Sequence, residues 1–135
     1  MTTKKEKQQE EPLSSAEEKR KSAMEQIKAV YEDGEATLPS GKVYVINKMN
    51  HIRRRTVFAY FTHIKDDLSR QDLWFMTSAE WTKVEDIIFN CVTVDGSLLS
   101  KKSDHWEEYP EDYMLFVQTM LPAISYPFMR GVSGG

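Results

Sequence analysis

The chain has 135 residues, 40% of them hydrophobic and 29% charged, with a net charge of −3 and one cysteine. That length supports one domain rather than two, and the small net charge does not single out an anionic partner. The lone Cys91 has no partner for an internal disulfide, so a reducing cytosol is the expected compartment; no apolar run approaches the roughly 20 residues of a membrane helix.

Residues 1–12, MTTKKEKQQEEP, carry almost no apolar side chains and cannot offset the entropy of ordering, which predicts a disordered N-terminal arm. Their lysines precede no apolar segment, so the arm does not read as a signal peptide. A single α+β domain is expected over 13–129, followed by a flexible end at 130–135. Ser14 and Glu17 have capping-box spacing. Ala16, Ala23, Met24, Ile27, Val30 and Tyr31 follow at helical intervals, which predicts a charged helix from about Ser15 to Tyr31, closed by Asp33–Gly34. The turn chemistry of "PSG" and the β-favouring run Val43–Ile46 predict a hairpin with strands near 35–38 and 42–47.

Asn50 is a candidate N-cap for a helix whose apolar stripe is Val57, Phe61, Ile64 and Leu68. "RQDLWFM" reads as a short apolar link. Thr77 and Glu80 repeat the capping-box spacing ahead of a second stripe, Trp81, Val84, Ile88 and Cys91, which ends at an Asp95–Gly96 turn. "SLLSKKSDHWEE" reads as a loop with Leu98 and Leu99 inward. Pro110, Glu111 and Asp112 suit the first turn of a last helix, where a missing N–H costs nothing and carboxylates favour the positive end of the dipole. Pro122 and Pro127 are expected to end or kink it. The fold class is therefore α+β: a charged N-terminal helix, one β-hairpin, then about three helices around a small core. The core expected is Val43, Val45, Val57, Phe61, Ile64, Trp81, Val84, Ile88, Leu115 and Leu121.

Chemistry-bearing patterns are sparse. "HWEEYPEDY" (105–113) gathers an imidazole and carboxylates, but neither HExxH nor a Cys/His ligand set occurs, so it reads as a solvated acidic helix entry rather than a metal site. His51 and His63 stand over three helical turns apart, too far to share a metal. Cys91 sits on an apolar stripe, where cysteine behaves as a small hydrophobe. No glycine-rich phosphate loop is present. No catalytic, cofactor or metal residues are assigned. "HIRRR" (51–55), with Lys48 upstream, is the one concentrated basic patch. Aromatics nearby serve a helical core, so the patch reads as a solvated face or one meeting an acidic protein rather than nucleic acid.

Three features together resemble a known family. They are the "LPSGKVYVIN" hairpin after a charged arm, the helix-to-turn run "EWTKVEDIIFNCVTVDGSLLS", and the acidic proline-started "DHWEEYPEDYMLFVQTMLPAISYPF". Their order over roughly residues 35–128 is similar to the tail assembly chaperones of long-tailed bacteriophages. That resemblance implies a non-catalytic protein of the host cytoplasm. It implies binding to the tape measure protein and to tail tube subunits before they polymerise, and absence from the finished particle. It carries no active site and no cofactor. The partner-binding residues expected come from the surface reading: Tyr126, Phe128 and Met129 in the irregular "LPAISYPFM", with Arg53, Arg54 and Arg55 orienting the partner by charge. The rival readings are a small structural adaptor retained in a phage particle and a nucleic-acid-binding module using 53–55. A membrane partner is not expected, and homo-oligomerisation stays open.

Overall fold

A computed structural model describes residues 18–19 and 21–133. The expected arm at 1–12 and the Ser14–Glu17 cap lie outside the described residues. A first helix, α1, covers 21–33. It closes where the Gly34 amide donates to Val30, with Gly34 at φ +72°, a left-handed conformation that favours glycine. The chain then forms β1 (Glu35–Thr37), β2 (Val43–Ile46), α2 (His51–Ser69), a short 3₁₀ turn (Trp74–Thr77), α3 (Ala79–Phe89), β3 (Val92–Val94) and β4 (Ser97–Leu98). A second 3₁₀ turn (Leu99–Lys101) leads to α4 (His105–Glu108) and α5 (Pro110–Ser133). The fold is α+β, as the sequence predicts.

The sheet has four antiparallel strands in the order β1-β2-β3-β4. The expected hairpin is β1–β2, with Glu35 opposite Val45 and Thr37 opposite Val43. The second hairpin is a correction to the single one expected. Asp95 and Gly96 both have positive φ, which is the type I′ geometry whose twist suits adjacent strands. It turns "CVTV" back on Ser97–Leu98, and β3 pairs with β2.

The register of β2 also differs from expectation. Val43 is 38% exposed and Val45 half-buried, while Tyr44 is fully buried. Because side chains alternate along a strand, a shift of one residue exchanges the whole face. Tyr44 wins the inward position because its hydroxyl finds buried partners described below. Leu115 is likewise exposed, displaced from the core by Phe116, Val117, Met120 and Leu121. The other expected core residues are buried: Val57, Phe61 and Ile64 from α2, Trp81, Val84 and Ile88 from α3, and Leu121 from α5.

The caps are read off local hydrogen bonds. The Asn50 side chain accepts from the Arg53 amide and opens α2. The cap of α3 is Ser78, not Thr77: the Ser78 hydroxyl accepts from the Trp81 amide, and Thr77 closes the preceding 3₁₀ turn. Neither Pro122 nor Pro127 ends α5, which continues through Ser133. Residues 130–133 of the expected flexible end are thus helical, and 134–135 lie outside the described residues.

Candidate partner-binding surface

The start of α2, which carries Arg53–Arg55, and the last turns of α5, which carry Tyr126, Phe128 and Met129, meet along a seam through Arg54 and Phe128. Each proline of α5 leaves a carbonyl four residues earlier without its usual donor. Pro127 does this to Ala123. Next to it, the Ile124 carbonyl accepts from the Arg54 guanidinium at 2.8 Å. Arg54 is half-buried in this contact, whereas Arg53 and Arg55 are exposed. Phe128 stacks on Phe58, with centroids 4.9 Å apart and planes 19° apart, and lies tilted against His51 at 5.6 Å. Tyr126 meets Tyr31 of α1 at 5.3 Å, and the Arg130 guanidinium lies 5.8 Å from both of those rings. Met129 packs half-buried against the core. The structure therefore places Tyr126, Phe128 and Met129 partly inward on a continuous helix rather than an irregular tail, with Tyr126 turned to α1 and Phe128 to α2. Ile52, in the first turn of α2, is 63% exposed.

The charges along α2 oppose its dipole. Its first turn contains no acidic residue and its last turn no basic one, while Arg53–Arg55 stand near its positive end and Asp66 and Asp67 near its negative end. Each such placement costs about 0.3–1 kcal/mol for an exposed charge. Among the described residues, the ion pairs are Lys42–Asp95 and Arg70–Asp67, and Arg53 and Arg55 are in neither.

A second constellation escaped sequence reasoning. Asp112 and His105 are buried, so the solvated reading of "HWEEYPEDY" holds for Glu107, Glu108 and Glu111 but is corrected for these two. The Ser40 amide donates to Asp112 Oδ1 at 2.9 Å, and the Ser40 hydroxyl donates to Oδ2. The Tyr44 hydroxyl donates to Oδ2 at 2.8 Å. With that proton spent, His105 Nε2, 2.7 Å from the same hydroxyl, must be the donor to it, which fixes the imidazole tautomer. Burial pushes the Asp112 carboxyl upward, but the Ser40 and Tyr44 hydrogen bonds outweigh it and hold it below the ordinary value. Burial, with Lys102 nearby, lowers the His105 imidazole against the opposing pull of Asp112 and Glu108. Burial and Asp112 raise the Tyr44 phenol. Both Asp112 oxygens, the Ser40 and Tyr44 hydroxyls and His105 Nε2 are hydrogen-bonded, so the chain of bonds works as a clasp between the β1–β2 turn and the start of α5. The available signal was Asp112 two residues after a helix-opening proline, but nothing local said that a tyrosine would face it.

Burial pushes the Cys91 thiol up to about 11, which leaves it protonated and inert near neutrality. No group of three metal-ligating side chains converges among the described residues. Trp74 is an exposed aromatic that the sequence treated as part of an apolar link. Its indole N–H donates to Asp67, and its ring borders a groove with Tyr60 and His63. No helix among the described residues is long and apolar enough to cross a membrane. No family model matches the chain, and neither does any curated protein or solved structure.

Proposed function

We propose that this protein is a non-catalytic tail assembly chaperone of long-tailed bacteriophages, acting in the host cytoplasm. Its partners are the tape measure protein and unpolymerised tail tube subunits. The observation that carries the reading is the seam itself. The half-buried Tyr126, Phe128 and Met129 stand on the last turns of α5, and Phe128 meets the start of α2, which carries the exposed Ile52, Arg53 and Arg55. Half-buried rings and a thioether offer apolar contact area at a small cost in side-chain entropy, and the cationic start of α2 selects an acidic-edged partner. Co-expression with the tape measure protein tests it. Replacing both Tyr126 and Phe128 with Ala should weaken co-purification by about 2–4 kcal/mol if both rings are hot spots. Undiminished co-purification by a folded double variant would remove the seam from the account.

One observation favours a second reading. Exposed guanidinium groups near the positive end of α2 also suit a polyanion, so a nucleic-acid-binding role predicts oligonucleotide affinity that falls steeply with salt.

A further inference from the structure

β1 lies at the edge of the sheet, and its pairing leaves one side open. The Gly34 carbonyl accepts from Ile46, and the Leu38 amide donates to Lys42. Alternation along an antiparallel pair then directs Gly34, Ala36 and Leu38 toward β2 and leaves the amides and carbonyls of Glu35 and Thr37 facing outward. Among the described residues no other strand takes up those groups, and both side chains are exposed. A groove of about 700 Å³ runs along this edge between α1 and α5. Its apolar wall is Ile27, Val30, Ala36 and Leu115. No described residue of α1 is fully buried, and Leu115 is 43% exposed, so this wall is only partly covered by the chain itself. The charged side chains lining it, Asp33 and Glu35, are both acidic, and neither is in an ion pair among the described residues.

We infer that this groove takes an extended segment of a partner protein, which adds a strand to β1. The backbone of that segment bonds to Glu35 and Thr37, its alternate apolar side chains cover Ile27, Val30 and Leu115, and a lysine or arginine meets Asp33 and Glu35. Strand addition of this kind draws affinity from main-chain bonds and specificity from side chains at every second position. The inference rests on the reading above that the chain binds unassembled subunits. It concerns a site apart from the seam, so the two fail separately.

The probe is an acetylated, amidated octapeptide of alternating valine and threonine with lysine at each end, titrated into the isotope-labelled full chain and followed by NMR. Saturable shifts at the Glu35 and Thr37 amides and the Ile27 and Leu115 methyls are expected. Thr37→Pro removes an outward N–H that β2 does not use, a change tolerated at sheet edges, and should weaken binding at least about tenfold. Glu35→Lys leaves the backbone alone and should shift preference to the same peptide ended with glutamate. No shift at millimolar peptide would overturn the inference, as would unchanged binding by both variants. Peptide-independent shifts at these amides that grow with protein concentration would assign the edge to a second copy of the chain, and would overturn it equally.

Discussion

Asp112→Ala is the sharpest perturbation of the fold. It removes the acceptor of three hydrogen bonds, from the Ser40 amide, the Ser40 hydroxyl and the Tyr44 hydroxyl. A bond to a charged group contributes about 1.5–3 kcal/mol, and a buried donor left unsatisfied costs about 1–3 kcal/mol. Ser40 is half-exposed and can turn to water, so most of its share is recovered; Tyr44 is fully buried and cannot. The expected loss is about 3–5 kcal/mol, a large part of the 5–15 kcal/mol typical of a domain. Urea unfolding followed by tryptophan fluorescence reads it as a lower midpoint at unchanged slope. Tyr44→Phe alone should cost less. In a double-mutant cycle the two should couple by about 1–3 kcal/mol, because they share one bond. The Asp112 carboxyl titrates below its ordinary value, so its contribution is complete above about pH 4 and is lost as pH falls through the folded-state value. Asp112→Asn should therefore flatten the acid limb of the stability profile. A loss under about 1 kcal/mol for Asp112→Ala would refute the clasp as a source of stability.

The lowered His105 pKa favours the neutral imidazole in the folded state. Stability is then complete above the ordinary imidazole value of about 6.5 and declines as pH drops below it; His105→Gln should remove that decline in thermal melts. Ser78→Ala should cost about 1 kcal/mol as a lost N-cap, whereas Thr77→Ala should stay within about 0.5 kcal/mol, and urea midpoints separate them. Arg54→Ala should cost about 1.5–3 kcal/mol through the Ile124 carbonyl, read by the same melts, while Arg55→Ala on the exposed face should leave stability unchanged.

What the sequence makes legible follows from periodicity. Val57, Phe61, Ile64 and Leu68, or Trp81, Val84 and Ile88, must share a helical face whatever they pack against, and all are buried. The strand "VYVI" has no such constraint. It is apolar on both faces, so whether Val43 and Val45 or Tyr44 and Ile46 turn inward depends on Asp112, 68 residues from Tyr44 along the chain. β3 and β4 are too short to give a pattern, and they exist because β2 offers an edge. Pro122 and Pro127 carry a strong local signal to stop, which the packing of α5 on α2 and the Arg54 bond override. For the candidate surface, residue types alone suggested Arg53–Arg55 and Tyr126, Phe128 and Met129. Their contact through Arg54 and Ile124 was invisible because it spans 70 residues.

Site-specific photo-crosslinking tests the partner-binding claim most directly. A photoreactive residue replaces Ile52 or Arg55 on the seam, or Lys65 or Glu107 away from it, all exposed positions whose replacement should leave the fold intact. With the tape measure protein co-expressed, the account predicts crosslinks from Ile52 and Arg55 and none from Lys65 or Glu107. Equal crosslinking from all four positions, or crosslinks from Lys65 and Glu107 alone, would contradict it.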